Sequence, residues 1–180
     1  MSSDIKARDY VIHGAYFAVY GIFKYLPSPV GDFFRKHVSK VFLKKSGAFR
    51  IYEGVTLWYP YRITIGSRVT LNEWVYISGY GGVTIGNDVR IGHRTSIVTS
   101  DHRFDDDTVA IHQQGLTSQP VVIEDNVFIG CNATILSGVT IGAGSVIGAG
   151  TVLTRSVGPN SIVVGNPGRV IGVRGADELS

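Results

Sequence analysis

The segment from Ile123 to Leu153 reads IEDNVFIGCNATILSGVTIGAGSVIGAGTVL, and every sixth residue in it is Ile or Leu. The same spacing extends toward the N-terminus, with two-residue slips before Ile65 and Ile85 and a long interruption after Ile97. The earlier anchor positions are Ile51, Leu57, Ile65, Leu71, Ile77, Ile85, Ile91 and Ile97. A repeat this strict indicates a stacked architecture.

Two further features of the repeat indicate how the chain bends. The fourth residue after an anchor is small or β-branched, as at Val127 and Ala133, and Gly often follows the anchor directly, as at Gly130 and Gly148. Two inward-facing residues in every six, with Gly at the bend, are typical of short strands stacked in coils. A helical period of 3.6 residues cannot keep every sixth residue on one face. The sequence therefore predicts an all-β fold of stacked coils.

The hexads IGAGSV (residues 141–146) and IGAGTV (residues 147–152) resemble the repeat of the left-handed parallel β-helix acyltransferases. This resemblance covers residues 50–174. It implies a triangular prism with three hexads per coil, assembled as a homotrimer that binds acyl-CoA between neighbouring prisms. The same fold hosts other chemistries, so the repeat predicts the fold more strongly than the reaction.

The repeat divides the chain into segments. Residues 1–48 are predicted to form an N-terminal α-helical appendage, residues 49–174 the β-helix domain, and residues 175–180 a tail. The interruption at residues 98–122 is predicted to be an inserted catalytic loop, because long ordered loops in compact domains usually carry function.

The appendage contains two apolar stretches that predict helices over residues 10–26 and 31–45, separated by Pro27 and Pro29. The second stretch alternates apolar side chains with Lys and Arg, which is an amphipathic basic pattern. Such a pair could cap the open end of the prism, where the outermost coil has unpaired backbone groups. It could also lie at the inner face of a membrane, because basic amphipathic helices with aromatic residues favour that interface. The sequence leaves both interpretations open.

The composition narrows the class of protein. The formal net charge is +3, but Lys and Arg are concentrated in the first 50 residues, and the prism has no nucleic-acid-binding motif. The single cysteine, Cys131, cannot form an internal disulfide, which suits a reducing cytoplasm. We see no secretory signal, and the first apolar stretch is too short and too polar to span a membrane. We therefore expect a cytoplasmic protein, with peripheral membrane contact as the open alternative.

The long loop contains the predicted catalytic residues. Transfer of an acyl group to a hydroxyl needs a base for the hydroxyl proton and hydrogen-bond donors for the oxyanion. His102 lies in the run Thr99-Ser100-Asp101-His102-Arg103-Phe104, which resembles the family's loop with a Thr or Ser shortly before the catalytic His. The resemblance implies that His102 is the base, and the adjacent Asp101 is a candidate to orient its imidazole.

The resemblance also implies binding residues. It implies acetyl-CoA as the acyl donor, no metal, and a small-molecule or glycan acceptor. The residues that it places near acetyl-CoA are Cys131, Ala149, Thr154, Arg155 and Arg169. Those expected near the acceptor, from the resemblance or from the stacking of aromatic rings on sugars, are Asn72, Trp74, Tyr76 and Phe128. Trp74 stands where related maltose and galactoside acetyltransferases have an oxyanion-binding Asn, which puts a simple free-sugar acceptor in doubt.

Several functions remain open from the sequence. The favoured one is acetyl-CoA-dependent O-acetylation of a sugar hydroxyl in surface polysaccharide or glycolipid biosynthesis, and the second is N-acetylation of an amino sugar on a nucleotide carrier. A zinc enzyme resembling γ-type carbonic anhydrases would use His93, His102 and His112, but the other motifs of that family are missing. A non-catalytic scaffold would leave the long loop without a role.

Overall fold

A computed structural model of the chain describes residues 6–176. Two helices come first, α1 (Ala7–Phe23) and α2 (Ser28–Phe42), and short 3₁₀ turns lie at Pro60–Arg62 and Ile111–Gln113. The strands, numbered in chain order, are β1 (Lys45–Ser46), β2 (Phe49–Ile51), β3 (Thr56–Trp58), β4 (Ile63–Ile65), β5 (Val69–Leu71), β6 (Tyr76–Ser78), β7 (Val83–Ile85), β8 (Arg90–Ile91), β9 (Ser96–Ile97), β10 (Ser100–His102), β11 (Leu116–Ser118), β12 (Val121–Ile123), β13 (Phe128–Ile129), β14 (Thr134–Ile135), β15 (Thr140–Ile141), β16 (Val146–Ile147), β17 (Val152–Leu153), β18 (Ser161–Val164) and β19 (Arg169–Val173).

Most of these strands stack into three sheets that form the faces of a prism. Face A has the order β1-β4-β7-β12-β15, face B has β2-β5-β8-β13-β16-β18-β19, and face C has β3-β6-β9-β14-β17. The chain visits faces B, C and A in turn, so three hexads complete one coil. Neighbouring strands on a face are parallel, except that β18 and β19 are antiparallel and end the described part of face B.

The interior of the prism is filled by the residues that the repeat predicts. Every Ile or Leu anchor is buried, and the small or β-branched residue four positions later is buried as well. Strand pairing puts equivalent anchors of successive coils directly above one another, as in the series Ile91, Ile129 and Ile147 on face B. Buried hydroxyls in these columns can hydrogen-bond to backbone carbonyls of the next coil. Thr95 Oγ1, for example, donates to the Gly130 carbonyl at 2.9 Å. The sequence prediction of the core is confirmed.

The corners of the prism are where side chains can differ without disturbing the core. We call the turns from face B to face C the B–C corner, at residues 52–55, 72–75, 92–95, 130–133 and 148–151, and those from face C to face A the C–A corner. Successive coils approach closely at the B–C corner, because a Cβ added at Gly130 would lie 2.5 Å from the Ala149 nitrogen. Glycine is needed there for backbone proximity.

The helices form as predicted, but each begins three residues earlier. The prediction placed α2 over residues 31–45, whereas it starts at Ser28 with Pro29 in its first turn, where a missing N–H costs nothing. It ends at Phe42, because the following residues pair with the prism and Lys45 aligns with Thr64 on face A.

The helical pair covers the first coils of the prism. Tyr16 and Tyr20 of α1 are buried in the same apolar cluster as the prism interior, and the Tyr20 hydroxyl donates to the Val55 carbonyl at 3.0 Å. Arg35 of α2 is buried and donates to the carbonyls of Phe23 and Leu26 at 2.9 and 2.7 Å, which fixes the end of α1. This packing agrees with the capping interpretation. Residues 1–5 and 177–180, at the ends of the predicted appendage and tail, lie outside the described residues.

Candidate active site

The long interruption forms an arm that projects from the C–A corner. Strands β10 and β11 pair as an antiparallel hairpin, with His102 opposite Leu116. Residues 101–120 are exposed apart from the half-buried Gln114. The base of the arm is fixed by buried Thr99, whose hydroxyl donates to the Ser78 carbonyl and accepts from the Gly81 amide, both at 2.7 Å. The two-residue slip before Ile85 supplies this Gly81 contact.

His102 and Asp101 both lie on the arm, but the structure does not bring them together. Neighbouring side chains of a strand point to opposite sides, so the Asp101 carboxylate points away from the His102 imidazole. Within residues 6–176, the His102 ring makes no hydrogen bond or ion pair. The arm therefore presents a solvent-exposed imidazole.

The B–C corner forms a straight ledge of stacked residues. The backbone N–H of Arg94, Asn132 and Gly150 donates to the carbonyls of Glu73, His93 and Cys131 respectively, at 2.9, 2.9 and 2.8 Å. These bonds align one residue from each coil along the prism axis. In order from the N-terminal coils, the aligned residues are Glu53, Glu73, His93, Cys131 and Ala149.

The C-terminal part of this ledge is open and lined by small residues. Ala149 is exposed and stands between Gly148 and Gly150, so the side chains there are minimal and the backbone is open to a ligand. Arg169 lies farther along the same edge, since it pairs with Val164 in the final hairpin and its side chain is exposed. Small residues followed by a guanidinium suit a thin chain that ends in phosphates.

The other two residues predicted near acetyl-CoA lie at a different corner. Thr154 and Arg155 directly follow β17 of face C, so they belong to the C–A corner, from which the arm also projects. The five predicted donor-binding residues therefore form two groups separated by the width of face C. Cys131, Ala149 and Arg169 form one group, and the other shares its corner with the arm of His102.

Three of the four residues predicted near the acceptor lie at or next to the N-terminal part of the B–C corner, and Phe128 lies in the later coil that contains Cys131. Asn72 and Trp74 belong to one turn of that corner, and Trp74 packs against Tyr25 with ring centroids 5.6 Å apart. Tyr76 lies on face C, where partial burial raises the pKa of its phenol and a hydrogen bond with Ser78 opposes the rise. Phe128 lies on face B, half exposed, in register with Arg90 and Val146.

Two members of the ledge, Glu53 and Glu73, were not predicted from the sequence. Glu73 lies two positions after its anchor Leu71, as Cys131 lies two positions after Ile129, and strand register puts both at the same corner. Assigning each hexad to a coil of three, and not only counting hexads, would have placed Glu73 at the same corner as Cys131. His93, considered only for a zinc site, lies between them. Within residues 6–176, no group of three or more His, Cys, Asp or Glu side chains is placed to hold a metal ion.

Comparisons with known proteins agree with this architecture. The family profile described as "Bacterial transferase hexapeptide (six repeats)" matches residues 120–155. Nodulation protein L of Rhizobium meliloti is 45% identical over 115 residues, which cover 63% of this chain and 61% of that protein. A Dictyostelium discoideum protein, provisionally named an acetyltransferase, is 38% identical over 140 residues, covering 76% of this chain and 72% of its own length. The solved structure of a galactoside acetyltransferase in complex with coenzyme A superimposes with a TM-score of 0.83, at 28% identity, over 95% of this chain and 84% of that one.

The chain belongs to the hexapeptide-repeat acetyltransferase family. The predicted family is confirmed, as is the fold class, a left-handed parallel β-helix with two N-terminal helices. The chain spans less than two thirds of nodulation protein L.

Proposed function

We propose that this protein transfers an acetyl group from acetyl-CoA to a sugar hydroxyl, in the synthesis of a surface polysaccharide or glycolipid. The observation that carries this proposal is the pairing of two exposed features, an imidazole on a projecting arm and a ledge of small residues that ends in a cation. The first supplies a base, and the second suits the pantetheine of the donor. Coenzyme A in the related galactoside acetyltransferase supports the choice of donor.

The active site would form between two copies of the chain. The arm and the ledge lie at different corners of one prism, so His102 of one protomer approaches the ledge of the next when copies pack in a ring. Phe104 and Ile111 at the tip of the arm are exposed apolar side chains that a neighbouring prism would cover. In a homotrimer with three equal interfaces, each arm contacts the ledge of the next protomer, so no arm or ledge is left unpaired. Light scattering of the purified protein measures the mass of the assembly directly.

In this arrangement His102 acts as the general base. Its imidazole takes the proton of the acceptor hydroxyl while that oxygen attacks the thioester carbonyl. The C–S bond then breaks, and the imidazolium returns the proton to the departing thiolate as the acetyl ester forms. Backbone N–H groups at the ledge hold the negative charge of the oxyanion, since Trp74 offers no amide side chain at the corner. Phe128 and Cys131 would flank the thioester. The Asp101 side chain points to the other side of its strand, so it is not placed to orient the imidazole.

The helical pair supports a place at the cytoplasmic face of a membrane. No helix in the described part of the chain is long and apolar enough to cross a bilayer. However, Val11 and Ile22 of α1 are each 71% exposed and Val41 of α2 is 77% exposed, which is a large apolar surface for a soluble protein. Basic residues border it, among them Lys24 and Lys40. Apolar side chains among cations suit an anionic lipid surface.

One assay tests the proposed reaction. The purified protein is mixed with acetyl-CoA and with sugars, amino sugars or nucleotide sugars, thiol release is followed, and the product is identified by mass spectrometry and NMR. We expect thiol release that requires an acceptor and yields an acetyl ester. An acetamide product would favour the amino-sugar alternative, and release independent of any acceptor would contradict the proposal.

Sedimentation with anionic vesicles tests the membrane contact. The native protein should sediment with the vesicles, and the Val11→Ser/Ile22→Ser variant should stay in the supernatant.

A further inference from the structure

A cavity of about 590 Å³ lies between α2 and the first three coils of face B. Its lining includes Lys36 from α2, Arg50, Arg68 and Arg90 from the prism, and the polar residues Tyr52 and Asn72. No carboxylate is among its lining residues. The cavity therefore brings four basic side chains together, whereas the rest of the prism carries both acidic and basic residues.

Three of the four cations lack a carboxylate partner. Arg68 is the exception, since it forms a two-pronged ion pair with Asp88 at 2.5 and 2.7 Å. Arg90 donates to the Arg68 carbonyl at 2.6 Å, and its charge adds to the hydrogen bond and charge of Arg68 in lowering the pKa of the nearby Asp88. In the range 6–176, Lys36, Arg50 and Arg90 form no ion pair. Four cations, with Asp88 as the carboxylate beside them, attract an anionic ligand to the cavity.

The spacing of these cations suits a phosphate or a diphosphate. Arg50 and Arg90 are in register on face B with Thr70 between them, so their Cα atoms are about 9–10 Å apart across two strand spacings. Guanidinium groups of that reach can converge on phosphate oxygens, with which they form paired hydrogen bonds. Lys36 contributes its charge from the opposite wall of the cavity.

The cavity also lies at the acceptor end of the proposed active site. Tyr52 and Asn72 line the cavity and belong to the first two turns of the B–C corner. The ledge then continues through His93 to Cys131, where the thioester would lie. The phosphates of acetyl-CoA would lie beyond Ala149, toward Arg169, so they do not account for the cations at the N-terminal end.

We infer that this cavity binds the phosphate group of a phosphate-bearing sugar and so directs its hydroxyl toward the ledge. The inference rests on the proposed function and names the class of acceptor for that same site. The sugar phosphate can be soluble, as in a nucleotide sugar, or joined to a lipid. A second cavity of about 390 Å³ shares Lys36, Arg50 and Tyr52 and continues along α2 past Asp32, which is paired with Arg35, to Pro29 and exposed Phe33. These last two side chains offer an apolar path for a lipid chain.

The test compares acceptors in matched pairs. Acetyl transfer is measured with a neutral sugar, its 1-phosphate, its nucleoside diphosphate derivative, and a polyprenyl diphosphate sugar in vesicles of neutral lipid. We expect one of the phosphate-bearing acceptors to exceed the neutral sugar at least tenfold in kcat/KM, because charge-assisted hydrogen bonds to phosphate add affinity. The acceptor that shows this preference identifies the source of the phosphate: a soluble sugar phosphate or a lipid-linked one.

Variants tie the preference to the cavity. In Lys36→Gln/Arg50→Gln the KM for the phosphate-bearing acceptor should rise about 10- to 100-fold, with the KM for acetyl-CoA unchanged. Lys45→Gln removes a charge from β1 on face A and should behave as the native chain. Equal use of neutral and phosphorylated sugars, or an unchanged preference in the double variant, would overturn the inference.

A binding measurement separates this inference from the proposed reaction. Isothermal titration with the same phosphate compounds needs no acyl donor and no turnover. If no acceptor supports thiol release, the proposed reaction fails, but binding that is present in Lys45→Gln and lost in Lys36→Gln/Arg50→Gln still supports the phosphate site. Absence of binding to the native chain at low salt would refute the site itself.

Discussion

The B–C corner and the C–A corner of this prism are built from the same repeat but carry different halves of the proposed active site. The B–C corner is a continuous ledge from Glu53 to Ala149, aligned by backbone hydrogen bonds between coils. The C–A corner is broken by the arm, which projects an exposed imidazole and ends at residue 120, where β12 returns the chain to face A, rather than at residue 122 as predicted. A regular corner can bind an extended ligand along the prism, whereas an interrupted one can reach into a neighbour. Neither corner alone has both functions.

The largest effect should come from removing the base at the interrupted corner. We expect His102→Ala to lower kcat about 10²- to 10⁴-fold, which is the usual contribution of a general base. The KM for acetyl-CoA should stay near its native value, because the ledge is untouched. His112→Ala, on the same exposed arm, serves as the control and should retain activity. If both variants keep native kcat, the arm is not the source of the base.

A smaller effect should come from the end of the ledge. We expect Arg169→Gln to raise the KM for acetyl-CoA about tenfold, because one charge-assisted hydrogen bond to phosphate is lost. Arg174→Gln is the matched control from the same exit segment, since Arg174 reaches the Gly144 carbonyl at the opposite edge of face B. Steady-state kinetics at varied acetyl-CoA checks both. An equal rise in the two variants would mean that the donor does not follow the B–C corner.

The smallest predicted effect concerns the contact between the helices and the C–A corner. Burial lowers the pKa of His13, whose ring lies 4.7 and 5.1 Å from the rings of Trp58 and Tyr59 and has no hydrogen-bond partner within residues 6–176. The folded protein therefore binds this proton less readily than the unfolded chain. The stabilisation is complete above the unfolded pKa of about 6.5 and falls as the pH drops through it toward the lowered folded value.

Thermal melts at several pH values test this contact. The native Tm should decrease by a few degrees between neutral and mildly acidic pH, and His13→Phe, which keeps a ring in the aromatic cluster, should reduce that decrease. His37→Phe is a control on α2, because His37 is exposed and its Nδ1 lies 2.7 Å from the Phe33 carbonyl. Parallel pH profiles for native protein and His13→Phe would show that His13 does not titrate on unfolding.

The fold could be predicted from the sequence because every coil repeats the same physical requirement. Each anchor, such as Ile129, must fill the prism interior, so the spacing of six between anchors predicts the β-helix directly. The helix boundaries were less certain, since Pro29 can either end a helix or begin one, and here it begins α2. That choice depends on Arg35, which bonds to the end of α1 across the connection.

The grouping of the site residues could not be predicted from hexad position alone. Ala149 and Arg155 each lie two residues after an anchor, yet successive hexads lie on successive faces, so the two residues occupy different corners. The basic cavity was also invisible, because Lys36 reaches it from α2 and its distance in sequence from Arg90 carries no signal. Both facts follow from strand register and helix packing, which only the three-dimensional structure provides.

The central claim, that each active site combines the arm of one protomer with the ledge of the next, is tested most directly by mixing two inactive chains. One chain carries His102→Ala, and the other carries Ala149→Phe, which places a bulky ring on the exposed ledge. Co-expressed with different tags and purified as mixed trimers, they should recover about a third of native activity, because each mixed trimer has one interface of three in which an intact arm meets an intact ledge. Mixed oligomers with no more activity than either variant alone would contradict the claim.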